Sequence, residues 1–258
     1  MPLDVTWLGH STVVIDLDGV RLISDPLLRP NAGILRRRGA APDLVSWAGV
    51  DAVLLSHLHY DHAELSSLRL LADVPILTLP DNAEWLRRRG LKGQDADYEA
   101  WTQVGSDQAV NVKLAPAVHK ARPMPHRPNA ACGHLVSTES KTIWVAGDTE
   151  LFSGLMDVPA AAGGGVDVAI VPVGGWGPRL SKGHLGPDEA AVACRMVGAR
   201  WAIPVHWGTF HVPGGQVFPS GWMDYAGPAF AAALAREHPS CHAEVLAPGQ
   251  VTTFADLT

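Results

Sequence analysis

The stretch His57-Leu58-His59-Tyr60-Asp61-His62 places four side chains that can bind a metal ion within six residues. It directly follows the apolar run 51–56, which is typical of a strand buried on both faces, and it precedes the segment 63–71, which has helical character. Such a strand would hold the loop rigidly. Because neutral histidine and aspartate are suitable ligands for zinc and similar divalent ions, the stretch predicts a metal site.

The spacing within this motif predicts how its ligands divide between ions. Alternate residues of an extended segment point the same way, so His57 and His59 can share one ion. Asp61 and His62 would then turn toward a second ion. Two ions need more ligands than this loop provides, so further ligands are expected elsewhere in the chain.

The later candidates are His119, Asp148 and His206, and each stands at the end of a strand-like run. Taken alone, a histidine or aspartate after a strand is more often structural than a ligand. Their common placement, together with the motif at 57–62, indicates one shared site.

The remaining patterns predict an α/β fold. In both halves of the chain, strand-like runs are followed by alternating strands and helices, which suggests two mixed sheets face to face with helices on the outer faces, a four-layer αββα sandwich. Asp18-Gly19 between apolar runs indicates a hairpin, and residues 29–43 are expected to form a surface loop. No linker is long or polar enough to divide the chain, so residues 1–258 are expected to form a single domain. Helices are predicted at 63–71, 81–89, 187–197 and 226–236.

With these motifs in order, the chain resembles the metallo-β-lactamase superfamily over almost its whole length. The motif at 57–62, then His119, Gly147-Asp148-Thr149 and His206 match the ordered metal motifs of that superfamily. Flanking sequences narrow the resemblance to the branch that contains N-acylphosphatidylethanolamine phospholipase D and L-ascorbate-6-phosphate lactonase. These flanking sequences are Trp7-Leu8-Gly9-His10-Ser11, the segment 183–190 and His206-Trp207-Gly208-Thr209-Phe210.

The resemblance implies the metallo-β-lactamase fold and a pair of divalent ions held by five histidines and two aspartates. These ligands would be His57, His59 and His119 on the first ion, Asp61, His62 and His206 on the second, and Asp148 as the bridge. Zinc is the expected metal, and ligand type leaves manganese and iron open. A hydroxide between the ions would be the nucleophile, since metal binding lowers the pKa of water to about 7. The di-iron, oxygen-reducing members usually carry a carboxylate where His59 stands, which favours hydrolysis here.

The predicted catalytic residues are Asp61, which is also a metal ligand, and His184, which precedes a helix. His184 would donate a proton to the leaving group or bind a phosphate, and the alternative is that it packs its loop. His10 would either hydrogen-bond a metal ligand or fill a core position.

Two further sets of residues have both a functional and a structural interpretation. The loop after His119 contains side chains that would bind a phosphate or lie in solvent: Arg122, His126 and Arg127. Tryptophans in loop-like segments would line an apolar pocket for an acyl or aromatic group, or pack in the core: Trp176, Trp207 and Trp222.

Composition limits the class of protein. The formal net charge of -6 disfavours a general nucleic-acid binder, which would usually carry a basic excess. Three widely spaced cysteines, Cys132, Cys194 and Cys241, fit a reducing cytosol rather than a disulfide framework. No signal peptide and no membrane-spanning run is evident, so a cytoplasmic protein is expected. The sequence is compatible with a homo-oligomer.

The leading functional hypothesis is therefore a metal-dependent hydrolase of a small ester-type molecule, either a phosphodiester or a lactone. A nuclease of RNA or DNA is the alternative, because related families use the same metal motif for that reaction. A binding protein without catalysis is a third hypothesis, but such a protein should have lost ligands, and none is missing.

Overall fold

A computed structural model describes residues 2–105, 110–120 and 123–255. In chain order the strands are β1 (Leu3–Gly9), β2 (Thr12–Leu17), β3 (Val20–Ser24), β4 (Asn31–Ala32), β5 (Leu35–Arg37), β6 (Ala52–Leu54), β7 (Ile76–Thr78), β8 (Gly93–Asp95), β9 (Thr102–Val104), β10 (Val110–Pro116), β11 (Cys132–Ser137), β12 (Thr142–Val145), β13 (Val166–Pro172), β14 (Ala199–Val205), β15 (Phe210–His211), β16 (His242–Ala243) and β17 (Val251–Phe254). The helices are α1 (Leu65–Leu68), α2 (Pro80–Arg87), α3 (Val158–Ala161), α4 (Pro187–Met196) and α5 (Trp222–Glu237).

The strands form two large mixed sheets and one small sheet. The first large sheet has the order β17-β1-β2-β3-β6-β7-β8, and the second has the order β16-β14-β13-β12-β11-β10-β9. Each is antiparallel in one part and parallel in the other, with parallel pairing from β3 to β8 and from β12 to β16. The small sheet has the order β15-β5-β4. The prediction of two mixed sheets is confirmed.

Side-chain alternation explains why the sheets stack in four layers. Val13 and Ile15 of β2 belong to the apolar core between the sheets, whereas Val14 faces the outer core, which contains Leu68 and Leu86 of the helices on that side. The second sheet shows the same alternation toward α4 and α5. Because both faces of each sheet are covered, the strands read as nearly continuous apolar runs rather than as alternating ones. The four-layer αββα prediction is confirmed.

Three local predictions need correction. Residues 29–43, predicted as a loop, contain the hairpin β4–β5, which is held by Arg37 hydrogen bonds to backbone carbonyls and by pairing with β15. Helix α5 begins at Trp222 rather than at 226, directly after Gly221 in the left-handed region. Helix α2 begins at Pro80, before the predicted start at 81, because proline suits the first helical position.

The sheet directions bring many strand ends to one edge of the sandwich. Strands β1, β3 and β6 run in one direction in the first sheet, and β10, β12, β13 and β14 share a direction in the second. Open α/β sheets bind ligands outside the carboxyl ends of their strands. The predicted metal ligands all follow such ends. Within the part of the chain that the structure describes, no helix has the length and hydrophobicity needed to cross a membrane.

Candidate metal centre

Four loops from both sheets converge at this edge. The loop 55–62 follows β6, and His119, Asp148 and His206 follow β10, β12 and β14 respectively. Gly147 makes the approach of Asp148 possible, because it has a φ of +63° and a Cβ there would lie 2.6 Å from the Cys132 carbonyl oxygen. Residues separated by up to about 150 positions therefore face one another.

One group of imidazoles lies near the entrance of the site, and we call it the outer trio: His57, His59 and His119. The His59 Nδ1 atom is 2.9 Å from His57 Nε2 and 3.1 Å from His119 Nε2. His57 is buried, whereas His59 and His119 are partly exposed. The three nitrogen atoms thus surround one small space that solvent can reach.

A second group lies deeper, and we call it the inner group: Asp61, His62, His206 and Asp148. The Nε2 atoms of His62 and His206 are 3.1 Å apart, and Asp148 Oδ2 lies 3.2 Å from the first and 3.3 Å from the second. Asp61 Oδ2 lies 3.6 Å from His206 Nε2. Asp148 also lies with the histidines of the outer trio, since it groups with His57 and with His119. It is therefore placed between the two groups.

Hydrogen bonds at the far side of the rings orient the histidines. His62 Nδ1 donates to Asp25 Oδ2 at 2.8 Å, His119 Nδ1 donates to the Gly183 carbonyl oxygen at 2.7 Å, and His206 Nδ1 donates to the Gly174 carbonyl oxygen at 2.9 Å. These partners only accept, so the proton of each neutral ring is on Nδ1. The lone pairs on Nε2 consequently point into the site.

Burial and neighbouring charges set the protonation of the cluster. Burial lowers the pKa of His57 well below its usual range, lowers the pKa of His59 to about 4, and lowers the pKa of His119. Burial alone would raise the pKa of Asp61 and Asp148, but hydrogen bonds and charges from the surrounding histidines outweigh it and hold both pKa values well below the usual range. Neutral imidazoles and ionised carboxylates are the forms that bind divalent metals.

His62 shows what the inner group requires. Burial lowers its pKa, but the Asp148 and Asp25 carboxylates outweigh that effect and raise the pKa well above the usual value. Two Nε2 lone pairs cannot face each other at 3.1 Å unless a positive charge lies between them. Without a metal ion, a proton must supply that charge.

The cluster fits divalent metal ions. Two nitrogen ligands about 2.0–2.1 Å from one tetrahedral ion lie about 3.3 Å apart, which is close to the spacing within each group. Asp148 Oδ1 is buried and has no hydrogen-bond partner, as expected for an oxygen that binds a metal. The seven predicted ligands are thus brought together, and their individual assignments to two ions remain predictions.

The two remaining predicted residues of the site also lie at the cluster. His184 Nε2 is 3.3 Å from Asp148 Oδ2, and its Nδ1 is near the carbonyl oxygens of Ser181 and Lys182. His10 is fully buried, with Nε2 3.1 Å from Asp61 Oδ2, and burial lowers its pKa to about 3. His10 therefore hydrogen-bonds the predicted ligand Asp61, which was one of its two interpretations.

In the loop after His119, Arg127 has a different role from those expected. Arg127 is buried rather than solvated, and its Nη1 donates to the carbonyl oxygens of Leu58, within the metal-binding motif, and Ala63, directly after it. The guanidinium also lies over Tyr60. Arg127 thus supports the loop from behind, while His126 is exposed and Arg122 lies outside the described residues.

Asp25 contacts the site and was not among the residues predicted from the sequence. It accepts hydrogen bonds from His62 Nδ1, from the Ser56 hydroxyl at 2.7 Å and from the Ser56 backbone N–H at 2.8 Å. Its φ is +35°, and His10 and His206 also have positive φ values, so three residues of this site adopt strained backbone conformations. The Asp-Pro pair after a strand was the only signal in the sequence.

The tryptophans divide between two environments. Trp207 and Trp222 line an apolar cavity of about 340 Å³ beside His206, as one interpretation expected. Trp176 instead packs against the small apolar cluster around Phe210 beneath the β4–β5 hairpin.

Comparison with known proteins agrees with this fold. A family model described as the beta-lactamase superfamily domain matches residues 21–207, which is more than half of the chain. The chain is 30% identical over 209 residues to a metal-dependent hydrolase of Ligilactobacillus salivarius, covering 81% of this chain and 86% of that protein. The chain therefore belongs to the metallo-β-lactamase superfamily, and within it to the metal-dependent hydrolases.

Two other similarities bear on the branch and the fold. The chain is 27% identical over 237 residues to N-acyl-phosphatidylethanolamine-hydrolyzing phospholipase D 1 of Caenorhabditis elegans, covering 81% of this chain. It spans only 64% of the length of that relative. Igni18, a metallo hydrolase from the archaeon Ignicoccus hospitalis, superposes with a TM-score of 0.75 at 18% identity and covers 99% of this chain and 100% of its own.

Proposed function

We propose that this chain hydrolyses a small ester-type substrate, a phosphodiester or a lactone, with two divalent ions held by the outer trio and the inner group. Zinc is the proposed metal. The phospholipase D relative supports the phosphodiester, although the chain spans only 64% of that protein. The same metal ligands would serve either substrate. A phosphodiester and a lactone differ in the other groups that must surround the metal centre.

The observation that carries this proposal is the direction of the imidazole lone pairs. Three histidines each donate Nδ1–H to an oxygen acceptor, and the His57 Nδ1 atom lies 2.9 Å from the Ser56 hydroxyl. Their Nε2 atoms therefore face inward as acceptors, beside two ionised carboxylates. Such a cluster of inward-facing nitrogen lone pairs and carboxylates is suited to binding cations.

When bound, two divalent ions would lower the pKa of a water to about 7 and so supply a nucleophile at neutral pH. The chain's own residues would hold the metal ligands in position and donate a proton to the leaving group. Asp61 is held in place by His10, and Asp148 lies between the outer trio and the inner group. His184 is partly exposed, is fixed through Nδ1 to its own loop and directs Nε2 toward the centre. We assign it the transfer of a proton to the leaving oxygen.

Metal analysis and a substrate screen test this proposal. Purified protein reconstituted with zinc should hold about two ions per chain, as two-metal hydrolases do. It should hydrolyse bis(p-nitrophenyl) phosphate or γ-valerolactone, and chelation followed by zinc should remove and restore that activity. Absence of bound metal after reconstitution would reject the proposal. Cleavage of RNA with neither small ester cleaved would replace it with the nuclease alternative.

A further inference from the structure

An apolar cavity of about 340 Å³ lies beside the metal centre. Its walls come from the loop after β13, the start of α4, the turn after β14 and the first turns of α5. Leu180, Trp207, Trp222, Tyr225 and Ala226 are the main side chains that line it. Cavities of about 300–1,000 Å³ hold small molecules in proteins, so this one is large enough to hold part of a substrate.

The cavity adjoins the backbone that supports His206 of the inner group. Gly174 and Gly175 line it, and the Gly174 carbonyl oxygen accepts the His206 Nδ1 hydrogen bond at 2.9 Å. The Cβ position of Gly175 lies 3.9 Å from His206 Cε1 and 3.9 Å from a methyl carbon of Leu180. Gly175 therefore lies between the cavity wall at Leu180 and one edge of the His206 ring.

The chemistry of the walls selects an apolar group. All lining residues belong to the described part of the chain, and none of them carries a charged side chain. The indole N–H groups of Trp207 and Trp222 donate to the carbonyl oxygens of Pro204 and Gly215 and are therefore already satisfied. The aromatic rings consequently offer mainly carbon atoms to an occupant.

A polar cleft elsewhere in the molecule shows the contrast. It has a volume of about 650 Å³ and is lined by charged residues that include Glu139, Lys141, Asp167 and Arg200. It lies around the loop 137–142 and the glycine segment 163–165, and no residue in its lining is a chain neighbour of a predicted metal ligand, whereas Trp207 of the apolar cavity directly follows His206. Size alone therefore does not distinguish the apolar cavity, whereas its lining and its contact with His206 do.

We propose that the apolar cavity binds an unbranched alkyl or acyl group of the ester substrate, while the reacting bond lies at the metal centre. This inference rests on the proposed function. The occupant is the apolar part of the molecule being cleaved, because the cavity shares Gly174 and Gly175 with the support of His206. Each methylene placed in the cavity should raise kcat/KM about fourfold, the equivalent of about 0.8 kcal/mol per buried CH₂.

Two homologous substrate series test the proposal in the zinc-loaded protein. We would measure kcat/KM for γ-lactones and for p-nitrophenyl phosphodiesters whose alkyl group grows from methyl to hexyl. The expected result is a rise with chain length in at least one series, followed by a plateau when the cavity is full. A flat response in every series that is hydrolysed would overturn the proposal.

Matched glycine substitutions locate the effect. Gly177 lines the apolar cavity and Gly165 lines the polar cleft; neither has a left-handed φ, and a Cβ at either meets no atom within 4 Å. Gly177→Leu should remove the dependence on chain length. Gly165→Leu should keep the full dependence. Ala226→Leu fills the cavity from α5 and should act like Gly177→Leu. Equal chain-length dependence in all variants would overturn the assignment.

Binding without catalysis separates failure of this inference from failure of the proposed function. If no ester is hydrolysed, the proposed function fails, and the cavity is then tested in metal-free protein by titration with 1-octanol, followed by tryptophan fluorescence. Saturable binding that is weakened at least tenfold by Gly177→Leu and unchanged by Gly165→Leu supports the cavity as an alkyl site. No binding, or equal binding in both variants, overturns it.

Discussion

The outer trio and the inner group are built from the same kinds of side chain, but they differ in burial and in support. Two of the three outer histidines are partly exposed, and the ring of His59 has its Nδ1 directed at the other two. In the inner group, His62, His206 and Asp148 are at most 1% exposed. His62 is fixed by Asp25 and His206 by the Gly174 carbonyl oxygen.

This difference indicates a division of roles. The inner group is a buried set of opposite charges and lone pairs, so its removal affects the fold as well as metal binding. The outer trio faces solvent, where an unsatisfied imidazole is hydrated at little cost. Substitutions at the outer trio should therefore reduce activity more than stability, whereas substitutions that truncate a side chain of the inner group should reduce both.

Asp148 belongs to both groups and should give the largest effect. Asp148→Asn keeps the shape of the side chain but removes the charge between the predicted ions. We expect kcat/KM to fall by about 10³-fold or more, the scale of losing one electrostatic component of a preorganised site, with little unfolding. Steady-state kinetics and thermal denaturation measure the two quantities.

A matched aspartate controls for this substitution. Asp167 lies in the polar cleft, where Oδ2 accepts the Thr142 backbone N–H, and Asp167→Asn should leave kcat/KM unchanged. Full activity of Asp148→Asn would show that the residue does not bridge the two groups.

The second prediction compares one histidine from each group in metal-free protein. His62→Ala leaves the buried Asp25 carboxylate without its histidine partner and removes one of the histidines beside Asp148, which should lower the free energy of unfolding by about 3–5 kcal/mol. His59→Ala exposes a site that is already partly hydrated and should cost less than about 1 kcal/mol. Urea denaturation after chelation measures both. Similar losses in the two variants would remove the distinction between the groups.

The ligands at 57–62 were easier to predict from the sequence than the three ligands that lie apart from one another. Residues 57–62 were recognisable by themselves, because four ligands of one metal chemistry rarely occur within six residues. His119, Asp148 and His206 were identified through their order and their position after strands. The four-layer fold followed from the alternation of strand and helix patterns, which reflects burial on both faces.

Other features depend on contacts that a sequence does not display. Asp25 supports His62 across 37 positions, and Arg127 reaches carbonyl oxygens more than 60 positions away. Strand β8 contains Gly-Gln-Asp, which has little strand propensity, and it forms because it pairs with β7 beside α2. Tertiary contacts, rather than local preference, determine these elements.

Asp25 gives the third prediction, because it orients the inner group without belonging to it. Asp25→Asn should lower the affinity for the ion at His62 about 10–100-fold, as substitutions behind metal-binding histidines commonly do. Titration with zinc in competition with a chelator measures this affinity. Asp16→Asn, which alters an exposed pair with Arg21, is the control and should leave it unchanged. An unaltered affinity in Asp25→Asn would mean that the hydrogen bond does not orient His62.

The fourth prediction concerns Arg127 and has the smallest expected effect. It tests how far the outer trio depends on the support that Arg127 gives to its loop. Arg127 Nη1 donates to the carbonyl oxygens of Leu58 and Ala63, so Arg127→Met removes the donor to both carbonyl oxygens while keeping an apolar stem beside Tyr60. We expect a loss of about 1–2 kcal/mol in the free energy of unfolding. Because Leu58 lies between His57 and His59, zinc affinity should also fall, by less than in Asp25→Asn.

The control for that substitution is Arg89, whose guanidinium lies 3.6 Å from the Trp85 ring centroid, next to the position that Arg127 occupies at 4.9 Å. Arg89 is exposed, and its Nη1 donates to the Trp85 carbonyl oxygen rather than to the metal-binding loop. Arg89→Met should therefore cost less than about 0.5 kcal/mol and leave zinc affinity unchanged. If both variants lose the same free energy of unfolding and neither changes zinc affinity, the contact with Trp85 contributes to stability and the hydrogen bonds to the loop do not. A selective loss in Arg127→Met would instead show that the exposed half of the centre depends on a buried cation behind it.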